Sequence, residues 1–442
     1  MRLSNVDKSG RLMFLIGLFS QTQIHIVGSI AISELVFFLI APFVFFSHQH
    51  IFRRERIVLP LRLIVMAMIG CIVATIVNHT DLISTLKGFS TIYGLWAGIV
   101  IFYVLLRKSP MSFRWYLLGA AFSFVLCTFF FQGDYEMLQA EFMGYSEKSV
   151  AAGIASGPLY WVGRLSGFVM WPIQGFYLKC PLAYSVLGTF IFGAWSLLTT
   201  ASGRSSALIA VFSAALIAVG GKSVRRMRRI RSAFWMLVLA GVLFLFAFKA
   251  VYSYTASHGM LGEKAQQKYE KQTRGKSSML SLLKGGRGEV FIGLFACCRN
   301  PIWGYGSWAH DHYGIINEYM AKYADPDEVE AYFEWIYRPG RTQEGIRLIP
   351  AHSAIVLWWL WYGILGLPFW LYLLYRIYRC IRYDIAYVPE FFGYLAIALP
   401  GQLWGACFSP FGARLPWAFF VTMILLVRTM KANDVMRMQR VR

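Results

Sequence analysis

Charge is what this sequence has least of. Only 15% of its 442 residues are Asp, Glu, Lys or Arg, where a soluble domain carries about 25%. With 57% hydrophobic residues, that shortage excludes an ordinary soluble protein, and the apolar excess must face lipid. Acid is the scarcer sign: 22 acidic residues stand against 43 basic ones, for a net charge of +21. The seven cysteines are scattered, with no CxxC or Cys/His spacing of a zinc site. Cys297 and Cys298 are adjacent, which disfavours a disulfide between them. There is no Gly-Lys-Ser/Thr phosphate loop, no internal repeat and no low-complexity tract. Nor does a lone apolar segment with a small-residue cleavage site precede a soluble part, so no cleaved signal peptide is expected.

Long apolar runs fill the chain instead. Each crossing of the hydrocarbon layer takes roughly 20 residues. The runs predict about twelve spans, near 12–29, 31–47, 60–78, 88–106, 115–132, 160–178, 182–199, 204–220, 233–252, 352–374, 387–405 and 414–429. The expectation is therefore an all-α polytopic membrane protein. Residues 1–252 hold about nine spans, 253–351 form a large, partly helical outer loop, and 352–442 hold three spans and a basic tail.

In a soluble domain a net charge of +21 points to nucleic acid. Here the bases sit in short loops: Arg53, Arg54 and Arg56; Arg107 and Lys108; Lys222 to Arg231; Arg376, Arg379 and Arg382. The alternate loops carry little beyond Lys87, Lys148, Arg164, Arg204 and Arg414. This is the positive-inside bias. It sets both termini in the cytoplasm, and no nucleic-acid partner is expected.

The outer loop has internal signals. Residues 325–338 read as a helix, with Asp325 as N-cap, Pro326 in the first turn and Glu328 completing a capping box. Residues 288–298 read as a second, largely apolar helix at the membrane surface. Directly before it stands KGGRG, with Lys284 and Arg287 among glycines. Glycines let the backbone bend, a helix start presents N–H groups, and an arginine fork matches phosphate oxygens. The set suits a diphosphate, and by itself more often marks a basic turn beside lipid headgroups.

Arg204 opens an apolar span in TTASGRSSALIAV. An arginine at that depth is costly unless it is paired, meets an anion or snorkels. His352 follows Pro350 at the start of another span, where it can exchange a proton or simply bond a backbone carbonyl. His310, Asp311 and His312 form a cluster that fits a metal or, more commonly, a polar loop. Asp134 and Glu136 are weaker acid/base candidates.

Three segments, taken in order, resemble the O-antigen ligase and O-antigen polymerase family of bacterial envelope enzymes: TTASGRSSALIAV, then GRGEVFIGLFACCRNPIWGYGSW, then AHSAIVLWWLWYGILGLPFW. The match covers about 190–375. Many members have His-Asn where this chain has His352-Ser353, and GRLSGFVMWPIQG around Arg164 lacks the usual Asn-Pro-Asn continuation.

The resemblance implies a GT-C-like fold in the bacterial inner membrane, with a periplasmic active site that needs no nucleotide sugar, cofactor or metal. The implied donor is an undecaprenyl-diphosphate-linked glycan, and the acceptor is a saccharide or lipid A-core. Arg204 and Arg287 would clamp the diphosphate, with Lys284, Arg341 and Arg347 assisting. His352 would be the general base of an inverting transfer, or orient the donor. Trp303, Tyr305 and Trp308 would stack on sugars, unless they anchor at the membrane interface. Polymerisation of repeat units is the expected reaction and ligation to lipid A-core its alternative. A twelve-span transporter is a third reading, against which stand the lack of a half-repeat and the outer placement of the charged residues.

Overall fold

The computed structural model describes residues 8–20, 22–25, 29–130, 181–199, 203–220, 253–260, 279–323, 348–385, 388–409 and 414–440, with single positions between 235 and 270. The described chain is mostly helical. Four stretches are long and apolar enough to cross a membrane: Val58–Asn78, Leu82–Lys108, Ala354–Asp384 and Glu390–Phe408. They fall on expected spans at 60–78, 88–106, 352–374 and 387–405. Helices also occupy the expected spans at 31–47, 115–132, 182–199, 204–220 and 414–429. The expected span at 160–178 and most of that at 233–252 lie outside the described residues.

The first expected span needs correction. Helix α1 (Lys8–Leu18) stops after eleven residues, where the Ser20 hydroxyl donates to the Gly17 carbonyl at 2.6 Å. The chain then forms a short antiparallel hairpin, β1 (Gln23–His25) on β2 (Ser29–Ala31). An apolar run shows that a segment avoids water, not whether its backbone is helical or extended. The β-branched Ile24 and Ile30, paired across the strands, favour the extended form.

From β2 the chain enters α2 (Ile32–Ser47), α3 (Gln49–Arg54), α4 (Val58–Asn78), α5 (Leu82–Lys108) and α6 (Phe113–Phe130). Asp81 caps α5 by accepting the Ser84 N–H at 2.8 Å, and Arg107 and Lys108 close its negative end. Ile92, Leu95, Ile99, Val100 and Phe102 of α5 are fully buried, because α2, α4 and the last helix all pack on it. Phe43 on α2 is 75% exposed and Ile76 on α4 68%; such faces suit hydrocarbon rather than water. Helix α1 crosses α6 closely, since Gly17 abuts the Tyr116 carbonyl and Gly119 abuts that of Phe14.

The later helices are α7 (Leu182–Thr199), α8 (Gly203–Gly220), α9 (Met279–Arg299), α10 (Ile315–Tyr323), α11 (Ala354–Tyr362), α12 (Leu367–Arg379), α13 (Pro389–Phe408) and α14 (Arg414–Arg440). A 3-10 turn, Gly363–Gly366, breaks α11 from α12. Gly363 holds φ +62° there, and Pro368 lacks the N–H that would continue the ladder.

Charged side chains gather at two ends. At one, Glu34 accepts from the Ala31 N–H and from Arg414, each at 3.1 Å, joining the starts of α2 and α14. At the other, Glu55 accepts from Arg107 at 2.7 Å and from the Tyr103 hydroxyl. Tyr103 in turn meets Thr429 of α14 at 3.0 Å.

Candidate functional site

The site grows from α9. The glycine-rich segment expected to be a turn before this helix lies inside it: α9 starts at Met279, so Lys284, Gly285, Gly286, Arg287 and Gly288 are helical. Their backbone N–H groups are directed along the helix rather than outward, and the anticipated anion-binding turn is absent at these positions. The helix holds four glycines, and each weakens an isolated helix by roughly 1 kcal/mol relative to alanine. Packing offsets this at Gly293, where a side chain would press within 3.0 Å of the Pro350 carbonyl and 2.9 Å of Val356. The Cys297 thiol, four residues on, reaches the Val356 carbonyl at 3.7 Å. Residues 289, 293 and 297 share one face, so the face that receives 350–356 also carries Glu289.

Glu289 meets His352 there, Oε2 against Nδ1. His352 is held from several directions. Ile349 N–H donates to the Ala309 carbonyl at 2.8 Å, and Leu348 bridges His310. Ser353 caps α11, accepting the Val356 N–H at 3.3 Å and donating to the Ala406 carbonyl at 2.9 Å. The hydroxyl at this position thus has two backbone partners, a job in which an asparagine is not required. The side chains of His352 and Glu289 remain 41% and 31% exposed, open to a ligand. A carboxylate on Nδ1 keeps the proton there and directs the lone pair to Nε2. It also stabilises the imidazolium formed when Nε2 takes a proton. Sequence reasoning misses Glu289, whose only local signal is an acid inside an otherwise apolar and basic stretch.

Arg204 lies in the first turn of α8. Ile209 packs over Gly401, and Gly220 lies against the Phe392 ring, so α8 runs antiparallel to α13. The first turn of α8 therefore sits toward the Ala406 end of α13, the end to which Ser353 is tied. Arg287 is two residues before Glu289 on α9, about 200° round the helix axis. Lys284 stands three residues before Arg287, near the start of the same helix. Arg341, Arg347, Arg164, Asp134, Glu136 and the expected helix at 325–338 lie outside the described residues.

The Asn-Pro-Ile-x-Gly-x-Gly segment folds against the α11–α12 break. Tyr305 N–H donates to the Leu360 carbonyl at 2.7 Å and Ile364 N–H to that of Ile302 at 3.1 Å. The Trp359 indole donates to the Pro301 carbonyl at 2.9 Å. Asn300 and Asn78 both donate to the Gly304 carbonyl, at 2.6 and 3.2 Å. Gly304 (φ +69°) and Gly363 (φ +62°) lie against each other, and a side chain on Gly304 would come within 2.6 Å of the Gly363 nitrogen.

This packing separates the three aromatics. Tyr305 is 7% exposed, and burial pushes its hydroxyl up to about 12. Trp308 lies 5.4 Å from Trp361 and under the Lys87 ammonium. Trp303, 50% exposed, offers the open ring of the three. In the His-Asp-His cluster, Asp311 is committed to capping α10, accepting from Ile315 and Ile316 N–H at 2.7 and 2.9 Å.

No protein-family model, curated protein or solved structure matches the chain.

Proposed function

We propose that this protein is an inner-membrane glycosyltransferase of GT-C-like architecture that polymerises undecaprenyl-diphosphate-linked repeat units at the periplasmic face, both termini being cytoplasmic. The observation that supports this most is the Glu289–His352 pair, partly open at the start of a membrane-length helix. A glycosyl transfer onto a sugar hydroxyl needs a base for the hydroxyl proton and cationic charge for the leaving diphosphate.

His352 Nε2 takes the acceptor proton as the acceptor oxygen bonds the anomeric carbon. The bond from that carbon to the diphosphate oxygen breaks, and the lipid diphosphate leaves with the electron pair, inverting the centre. Arg204, on the α8 turn nearest the Ala406 end of α13, supplies the counter-charge. Arg287, two residues before Glu289, starts on the opposite side of α9, so Arg204 is the counter-charge on which this reading rests. Glu289 is a positioning residue: it holds the imidazole without touching the sugar.

The test is elongation by the purified protein in vesicles, supplied with a synthetic polyprenyl-diphosphate-linked repeat unit. Wild-type protein should yield a ladder, and His352→Ala and Arg204→Ala should yield none while still folding. Near-normal product from His352→Ala would reject the reading. Product that forms only when lipid A-core is supplied would assign ligation instead.

A further inference from the structure

Lys87 is one of the few bases on the sparsely charged side of the bundle, and it has no part in the chemistry at His352. It stands half-buried in the second turn of α5. Its ammonium lies 5.6 Å from the centre of the Trp308 ring. Among the described residues no carboxylate comes within ion-pair distance of it. Asp81, on the same helix, accepts from the Ser84 N–H at 2.8 Å. Asp311, three residues past Trp308, accepts from the Ile315 and Ile316 N–H groups. An aromatic face holds an ammonium in place without neutralising it. A lysine so held near a helix end beside lipid is a point charge suited to phosphate.

The backbone is strained where it places that ring. Trp308 holds φ +56°, a left-handed angle that bulky residues rarely adopt and that clusters at functional sites. Its ring meets Lys87 of α5 and, at 5.4 Å, Trp361 of α11. Ser307, just before it, fills the space that Gly88 leaves on α5. Ala309, just after it, accepts from the Ile349 N–H at 2.8 Å, three residues before His352. Lys87 and His352 therefore belong to one end of the bundle. They are not adjacent. Trp361 is seven residues along α11 from Ala354, roughly 10 Å deeper than the helix start beside His352.

That separation selects the ligand. Polymerisation, the reading on which this inference rests, joins two lipid-linked chains. The donor's diphosphate is bonded to the anomeric carbon, so it stays beside His352 and Arg204. The acceptor's diphosphate is a whole repeat unit away from the attacking hydroxyl and lies nearer the membrane. We propose that Lys87 binds the diphosphate of the lipid-linked acceptor while the far sugar of that acceptor reaches His352. Ile83, one turn from Lys87 on the same face of α5, is 57% exposed, and Leu86 is 51% exposed. A lipid-borne diphosphate thus has a path to the ammonium from the bilayer.

The test is elongation by the full chain in phosphatidylcholine vesicles. The donor is a polyprenyl-diphosphate-linked repeat unit whose acceptor hydroxyl is methylated, so it cannot also accept. Two acceptors with that hydroxyl free are compared. One is carried on a non-transferable phosphonate analogue of polyprenyl diphosphate, the other on an uncharged polyprenyl ether. Wild-type protein should show a KM for the charged acceptor roughly 10-fold below that for the uncharged one. Lys87→Gln should bring the ratio of the two KM values close to one, and Lys87→Arg should keep most of it. If Lys87→Gln does not fold, Lys87→Met retains the apolar stem over Trp308 and should show the same loss. A wild-type ratio of one, or a ratio unchanged in Lys87→Gln, would overturn the proposal. So would a wild-type preference that disappears when phosphatidylglycerol is added, which would assign Lys87 to ordinary phospholipid. No product from the wild type with either acceptor would reject the glycosyltransferase reading itself, and this site with it.

Discussion

Glu289 of α9 holds Nδ1 of His352 at the entrance to α11, so two segments far apart in the chain meet as one acid–base unit. Its chemical content is testable through the carboxylate. Glu289→Gln keeps the shape and removes the charge. It should lower kcat of glycan elongation by roughly 10- to 100-fold, less than loss of a general base worth about 10²–10⁴, with KM for the donor little changed. Glu289→Asp should restore part of kcat. A variant with normal kcat would show that the pair is structural only.

Gly363 has no room for a side chain. A methyl there would meet the Ile302 carbonyl at a backbone angle of +62° that alanine rarely adopts. Gly363→Ala should cost roughly 1–3 kcal/mol and loosen the 300–309 segment. Thermal unfolding of the purified protein and protease access near Trp303 are the readouts; an unshifted transition would contradict the packing described.

The Glu34–Arg414 pair joins α2 to α14 while largely buried. Glu34→Gln removes the carboxylate charge that faces the buried guanidinium and should destabilise by up to about 3–5 kcal/mol. Glu34→Gln combined with Arg414→Met should recover much of that loss. Stability of the two variants, measured side by side, checks the coupling.

Asp81 carries a pH dependence. Its carboxyl is held below the usual range by hydrogen bonds from Ser84, side chain and backbone. A depressed carboxyl contributes stability above its unfolded-state value, lost as pH falls through the folded-state value. Fraying of the α5 start should therefore appear on the acid side, and Asp81→Asn should flatten that response. Hydrogen exchange at Ser84 and Thr85 against pH measures it.

Membrane-length helices and segregated basic loops are legible in the sequence because both are properties of local composition. A run of apolar residues reports its own avoidance of water, and short loops report their own charge. The position of His352 at a helix start is readable for the same reason, from Pro350 before it and the apolar run after it. Other features depend on contacts between distant segments. The glycine-rich stretch around Arg287 reads as a turn by propensity, yet it is helical because Gly293 allows α9 to lie on residues 350–356. Tyr305 looks available for stacking until the α11 break buries it. Glu289 gains its role only from where α9 rests. Propensity acts over a few residues, whereas the choice of partner is made when helices pack, and that choice pairs Glu289 with His352.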